Sequence, residues 1–151
     1  MKNKINCINK GKNFERSVVK ILSKITNCIW ERVPCSGAFA TSRKTESFVF
    51  NGDVFCEQEP YRESIVIECK ATKELILISD IFNPKSLLNK WITQCKRECG
   101  NSNWLLIFKM NGRKPIFLTQ KEFIANPLIE KITERFGGVD YANYWIGEIN
   151  E

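Results

Sequence analysis

Histidine is missing from all 151 residues of the chain. Serine–histidine and cysteine–histidine catalysis, and zinc sites built on histidine, therefore lose their usual base or ligand. Proton transfer must instead fall to lysine, glutamate, aspartate or a metal-bound water. A C-x-x-C pair is also missing, and the seven cysteines are odd in number and follow no secretory signal. This pattern favours reduced intracellular thiols, with a zinc or iron–sulfur site as the alternative.

Long apolar runs are absent as well. No stretch approaches the length needed to span a membrane, and the N-terminal segment Met-Lys-Asn-Lys-Ile-Asn-Cys has no signal-peptide core. We therefore expect a soluble cytoplasmic protein without a membrane partner, in a cell or in a virus-infected host cell.

The overall composition is typical of a globular protein with a polyanionic partner. Hydrophobic residues make up 43% of the chain and charged residues 26%, which is ordinary for a folded domain. The length suits a single domain, 1–151, with a real hydrophobic core. A net charge of +6 and a pI near 9.0 favour a partner such as nucleic acid.

The segment from Asp53 to Lys70 carries the most informative pattern. Its last part, Ser-Ile-Val-Ile-Glu-Cys-Lys, is apolar and β-branched, which predicts a strand. Alternation along that strand places Glu68 and Lys70 on one face behind Val66. A second strand-like run, Phe48–Phe55, precedes it, and a hairpin between the two would bring Asp53 close to Glu68.

Two converging carboxylates and a lysine form a set suited to phosphodiester hydrolysis. Carboxylates at Asp53 and Glu68 can hold Mg²⁺, which takes oxygen ligands and keeps several waters. Lys70 beside them can orient a water or stabilise charge that develops on a phosphate. The alternative is an exposed hairpin end on which Glu68 and Lys70 form an ordinary surface ion pair.

The remaining pattern predicts helices and strands around this segment. Residues 1–10 are expected to form a loose basic arm, before an amphipathic helix capped by Asn13 with Glu15 in its first turn. A short strand ends at Pro34, and 36–47 has the composition of a loop.

The second half of the chain predicts further elements. A helix is expected from Ser86 to Cys99, followed by two strands around Asn111-Gly112. Gln94 on that helix is interpreted as a surface or capping amide. A helical segment interrupted by Pro127 then leads into an aromatic C-terminal tail, 137–151.

These residues resemble a known family. Gly52-Asp53 followed by Ile-Glu68-Cys-Lys70 is similar to the motif of the PD-(D/E)XK nuclease superfamily, with glycine in place of the motif's proline. More narrowly, roughly residues 10 to 118 resemble the archaeal-type Holliday-junction resolvases and their viral relatives. The matching segments are Gly11-Lys-Asn-Phe-Glu15-Arg16, Glu31-Arg32-Val-Pro-Cys-Ser36-Gly37-Ala38, Asp53 and Glu68-Cys-Lys70.

The resemblance implies a restriction-endonuclease-like α/β fold, a mixed β-sheet flanked by helices, and the predicted order of elements agrees with it. It implies that Glu15 joins Asp53, Glu68 and Lys70 as a catalytic residue. The implied metal ligands are Glu15, Asp53, Glu68 and the backbone carbonyl of Cys69. Residues expected to contact nucleic acid are Arg16, Arg32, Ser36, Arg43, Lys44 and Lys73, with a merely solvated loop as the alternative for Ser36, Arg43 and Lys44. Related viral nucleases place a glutamine on the helix over 86–99 facing the metal site, so the resemblance gives Gln94 a supporting role as the alternative to a surface amide.

The function implied is a Mg²⁺-dependent, structure-selective endonuclease, with Mn²⁺ as a substitute metal, that resolves four-way DNA junctions as a homodimer. No small-molecule cofactor is expected. Two alternatives stay open: a repair or restriction-type endonuclease of the same fold with another DNA substrate, and a non-catalytic basic DNA-binding module.

Overall fold

The computed structural model describes residues 2–34 and 51–151, with side chains from residue 8 onward. The fold is one mixed β-sheet with helices on both faces. The α-helices of these ranges are α1 Lys2–Thr26, α2 Leu87–Glu98 and α3 Pro127–Phe136. The strands are β1 Trp30–Arg32, β2 Val54–Cys56, β3 Ile65–Thr72, β4 Asn103–Met110, β5 Ile116–Gln120, β6 Val139–Tyr141 and β7 Tyr144–Glu148. Short 3₁₀ helices cover Ile78–Phe82 and Lys121–Phe123.

The strands of the described residues lie in one sheet in the order β1-β2-β3-β4-β5-β7-β6. Strands β3 and β4 are parallel and every other neighbouring pair is antiparallel. Helix α2 lies between β3 and β4 in the chain and makes the crossover that a parallel pair requires. The predicted α/β class, a restriction-endonuclease-like mixed sheet flanked by helices, is confirmed.

Strand β3 runs through the middle of the core because both of its faces are apolar. Ile67 and Cys69 belong to the hydrophobic cluster that contains Phe14 and other residues of α1. Val66 points the opposite way, into the cluster that contains Trp91 of α2. The alternation predicted for this strand is therefore confirmed, and its charged residues follow a completely buried stretch.

Helix α1 begins at Lys2, so both the predicted loose arm over residues 1–10 and the predicted cap at Asn13 are wrong. Lysine and asparagine are polar but do not break a helix, and the amphipathic stretch that follows extends the helix toward the N-terminus. Lys10 also hydrogen-bonds to the side chain of Asn111, beyond the end of β4. This contact joins α1 at Lys10 to the turn that follows β4.

Helix α2 follows the sequence closely. Ser86 is its N-cap and accepts a hydrogen bond from the backbone N–H of Asn89, and the helix ends at Glu98, just before Gly100. The predicted pair of strands around Asn111-Gly112 is also present, as antiparallel β4 and β5. Local capping and turn residues were sufficient to predict these elements.

Residues 137–151 do not form the predicted tail. They contain β6 and β7, and β7 pairs with β5 over its whole length. A side chain at Gly147 would come within 2.3 Å of the Phe117 ring, so glycine is required where the two strands pack together. Ile149, 1% exposed, lies in the cluster with α1. The alternation of apolar and polar residues in this segment was too weak to predict strands.

The predicted loop over 36–47 lies outside the described residues. Among the described helices, none combines the length and the apolar character that crossing a bilayer requires.

Candidate active site

The backbone of Asp53 is held between β1 and β3. Its N–H donates to the carbonyl of Ile67 at 2.8 Å, and its carbonyl accepts from the N–H of Val33 at 2.9 Å. Gly52, directly before it, has φ +84°, and a Cβ there would lie 2.6 Å from the Ile67 carbonyl oxygen. Only glycine fits this close approach without strain, which explains why it precedes the aspartate.

The Asp53 carboxylate points at the middle of β3. Its Oδ2 accepts a hydrogen bond of 2.7 Å from the backbone N–H of Cys69. The N–H and C=O of one strand residue point to the same side, so the Cys69 carbonyl also faces Asp53. The thiol of Cys69 lies instead in the apolar cluster below α1. The backbone of Cys69, not its sulfur, belongs to the site.

Glu68 is the most deeply buried charged residue of the site, at 3% exposed. Lys70 Nζ lies 3.6 Å from its Oε2, and Gln94 Nε2 on α2 donates to the same oxygen at 3.3 Å. The alternative of an exposed surface ion pair is therefore wrong for Glu68. An acid buried this completely needs partners, and the structure supplies them from both β3 and α2.

The pKa values of both carboxyl groups are raised above their ordinary range. Burial, together with a hydrogen bond to Glu98 and repulsion from Asp53, raises the pKa of Glu68 to about 9. Burial also raises the pKa of Asp53, and the charge of Glu15 raises it further, although the hydrogen bond from the Cys69 N–H lowers it. A cation between the two carboxylates would relieve both effects.

The donor set fits Mg²⁺. Asp53 and Glu68 offer carboxylate oxygens close enough to act on each other's charge, and strand geometry adds the Cys69 carbonyl as a third candidate oxygen. In the described part of the chain, no group of three or more His, Cys, Asp or Glu side chains is placed to hold a metal. Mg²⁺ needs no such cage, because it commonly binds through one or two carboxylates and retains several waters.

Glu15 lies well inside α1, so the interpretation as an acid at the start of a helix is wrong. Its Oε2 accepts a hydrogen bond of 2.7 Å from Arg32 Nε on β1, and both side chains are largely covered. Glu15 is near enough to act on the pKa of Asp53. Its role as a metal ligand and the DNA contact of Arg32 stay predictions, since the two residues here bind each other.

Gln94 and Glu98 of α2 surround Glu68. Gln94 was interpreted as a surface or capping amide, with a supporting role at the metal site as the alternative implied by the resemblance, and its Nε2 donates to Glu68 at 3.3 Å and to Glu98 Oε1 at 3.1 Å. Although burial opposes it, hydrogen bonds from Glu68 and Gln94 lower the pKa of Glu98. Glu98 was not assigned, and its spacing of one helical turn from Gln94 is the signal that could have found it.

Of the other predicted nucleic-acid contacts, two lie in the described part of the chain. Arg16 is exposed on α1 and donates to Asn13 Oδ1 at 2.9 Å. Lys73 is exposed just beyond the end of β3. Both are accessible to a ligand. The remaining predicted contacts lie outside the described residues: Ser36, Arg43 and Lys44.

Comparison with known proteins gives one family and one relative. The model of a family described as "phage putative PDDEXK endonuclease" matches residues 6–148. Protein D14 of Escherichia phage T5 is 35% identical over 130 residues, which cover 83% of this chain and 76% of that protein. No solved structure matches significantly. The family match spans every described residue of the site.

Proposed function

The chain belongs to the phage PDDEXK endonuclease family, and on that basis we propose that it is a Mg²⁺-dependent, structure-selective DNA endonuclease that resolves four-way junctions. The observation that carries the nuclease chemistry is the meeting of Asp53, Glu68 and Lys70 where β2 and β3 join. Two carboxylates and one lysine, without histidine, suffice for metal-assisted hydrolysis.

Asp53, Glu68 and the Cys69 carbonyl would hold the metal, with Glu15 as a further ligand once it leaves Arg32. When bound, Mg²⁺ supplies positive charge to the scissile phosphate and makes a water more acidic. The burial of Glu68 and its hydrogen bond from Gln94 fix the orientation of its carboxylate before DNA arrives. Such preorganisation is what a site needs in order to bind a transition state better than a substrate.

Lys70 orients the attacking water or stabilises the charge on the pentavalent phosphorus. Its side chain is 24% exposed, while its Nζ lies 3.6 Å from Glu68 Oε2. It can therefore touch both the carboxylate and an incoming phosphate. A cation placed where charge develops lowers the barrier without needing to move during the reaction.

The junction specificity and the homodimer rest on the resemblance and on the substrate. A four-way junction has near two-fold symmetry, and its resolution needs a pair of cuts. One 17.5 kDa chain with one proposed site therefore needs a second copy, most simply as a C2 dimer. The net charge of +6 supports a polyanionic substrate.

The test compares cleavage of labelled four-way junction, linear duplex and single-stranded DNA, with and without Mg²⁺. The wild-type protein is expected to cut the junction at paired positions, only with the metal. The matched control is Asp53→Asn, because asparagine can still accept the hydrogen bond from Cys69 while it lacks the negative charge. We expect that variant to cut at least about a thousandfold more slowly.

Each outcome points to one interpretation. Rapid cleavage by Asp53→Asn would overturn the site. Equal cleavage of duplex and junction would leave the site and favour a repair or restriction-type nuclease. Binding without any cleavage would favour the non-catalytic DNA-binding module, which the complete set of Asp53, Glu68 and Lys70 argues against.

A further inference from the structure

A cavity of about 290 Å³ lies between α1 and the ends of β3 and β4. Its interior is formed by Phe14, Ala71 and Met110, and its rim is polar and exposed. The polar rim residues are Lys10, Asn13, Ser17, Lys109 and Asn111. The cavity is separate from the metal-binding carboxylates, none of which lines it.

The charge of this cavity is wholly positive. Two lysines and no acidic residue occur among its lining residues, and neither lysine forms an ion pair within the described ranges. Lys10 is held over the cavity by its contact with Asn111. Unpaired ammonium groups beside amide and hydroxyl donors suit a phosphate group.

The other cavities of similar size lack this property. One of about 390 Å³ is lined by Glu63 and Glu98 without any lysine or arginine, so it would repel a phosphate. Another, of about 330 Å³, is lined by Lys24, Lys131 and Arg135 but also by Glu134, whose carboxylate lies 3.6 Å from the Lys131 ammonium, and Lys24 lies 3.7 Å from Glu151. Of the three, the cavity with Lys10 and Lys109 is the one lined by cations without an acidic residue.

Its position next to the active site identifies the phosphate. Ala71 follows Lys70 on β3, but alternation turns its side chain to the opposite face of the sheet, toward α1. That face also carries Glu15 of α1, which is near enough to Asp53 to raise the pKa of its carboxyl group. The cavity therefore lies on the Glu15 side of the site. A DNA strand that places one phosphate between Asp53 and Lys70 can bring a near neighbour along the same strand to the two lysines.

We propose that this cavity is a binding subsite for a DNA backbone phosphate close to the scissile one, with Lys10 and Lys109 as its cations. The proposal rests on the proposed nuclease function and adds a second anchor to it. Two fixed phosphates define the direction and register of the strand, whereas one phosphate at the metal leaves the strand free to pivot.

The first test measures DNA affinity in the Asp53→Asn background, so that nothing is cut. The double variant Lys10→Gln/Lys109→Gln should bind junction DNA at least about tenfold more weakly at about 0.15 M salt. The slope of the logarithm of the binding constant against the logarithm of the salt concentration should become shallower by about one to two units. The matched control is Lys24→Gln/Lys131→Gln, which removes the same charge from the cavity at the other end of α1. Equal losses in the two double variants would overturn the subsite and leave a general charge effect.

The second test locates the phosphate. Single neutral methylphosphonates are placed on either side of the scissile phosphate in the DNA. One position should weaken the binding of the parent protein by about tenfold and leave the lysine double variant unaffected, because the partner is already gone. If the methylphosphonate and the lysine substitutions weakened binding additively at every position, the proposal would be overturned. If the Asp53→Asn protein bound no DNA at all, the proposed function itself would fail, which is a distinct result.

Discussion

Gly52 is the residue that determines where Asp53 can lie. Its φ of +84° and the 2.6 Å approach of a Cβ to the Ile67 carbonyl oxygen leave no room for a side chain. We expect Gly52→Ala to destabilise the fold by about 2 kcal/mol or more and to lower cleavage by displacing the aspartate. Urea unfolding and a cleavage assay measure the two effects.

The matched control for that variant is Gly100→Ala. Gly100 also has positive φ, +56°, but nothing lies within 4 Å of its Cβ position. Its substitution should cost only about 1 kcal/mol of backbone strain and leave cleavage unchanged. Equal effects of the two substitutions would show that the close approach to β3 is unimportant.

Glu68 should make the stability of the metal-free protein depend on pH. Its pKa is raised from 4.5 to about 9 by burial, by Glu98 and by Asp53, so the folded state binds the extra proton. The stabilisation is complete below pH 4.5 and is lost as pH rises toward 9. The slope for one proton is at most about 1.4 kcal/mol per pH unit.

Glu68→Gln is the control, since glutamine copies the neutral acid and does not titrate. With a chelator present, the free energy of unfolding of the wild type, measured with urea, should fall relative to that of the variant as the pH rises from 5 to 9. Parallel pH profiles for the two proteins would contradict the raised pKa. Metal binding requires the ionised acid, so Mg²⁺ affinity should rise over the same range.

Lys70→Ala should separate transition-state stabilisation from metal binding. The ammonium is proposed to act on the attacking water or the phosphate, so cleavage should fall by about a thousandfold. Its charge also lowers the pKa of Glu68, but less than burial raises it. Titration with Mg²⁺ should therefore show little change in affinity. Complete loss of metal binding would mean that the lysine organises the carboxylates instead.

The central residues of the site could be predicted from sequence because strand alternation and the hairpin fix them locally. Glu68 and Lys70 must share a face of β3, and pairing of β2 with β3 brings Asp53 beside them. Glu98 was not predicted, and only the resemblance gave Gln94 a supporting role, because the place of both residues depends on how α2 packs across the sheet. No local pattern encodes that packing.

At the level of elements, the C-terminal hairpin is the largest departure from prediction. We expect Ile149→Ala to cost about 2 to 4 kcal/mol in urea unfolding, because Ile149 is 1% exposed within the cluster beneath α1. The control, Val139→Ala on β6, is 63% exposed and should cost less than about 0.5 kcal/mol. A negligible effect at Ile149 would favour the predicted aromatic tail instead.

Helix starts and strand pairings differ in how far the sequence determines them. Ser86 marks the start of α2 by a local hydrogen bond. The start of α1 has no such mark, so the amphipathic pattern indicated only its C-terminal half. The pairing of β7 with β5 joins segments separated by α3 and was invisible to any local pattern.

At the scale of the whole molecule, the proposed junction specificity predicts selectivity for the shape of the DNA. At about 0.15 M salt the Asp53→Asn protein should prefer a four-way junction to linear duplex of equal length by at least about a hundredfold, or roughly 2.7 kcal/mol. Phosphate contacts alone give no such preference, whereas two linked copies of the basic surface do. Competition binding measures the ratio. Sedimentation of the complex should show two chains per junction, and a single chain would contradict the dimer.

The position of β7 near the end of the chain determines when β5 gains its second partner during synthesis. Strand β5 emerges from the ribosome before β7, its partner, and α3 and β6 must be made in between. At ordinary translation rates this interval lasts on the order of a few seconds. During it, β5 presents a free edge with Phe117 and Leu118, both fully buried in the finished protein. Unpaired apolar edges recruit strands from other chains. The open edge of β5 is therefore a site at which the growing chain can aggregate until β7 is made.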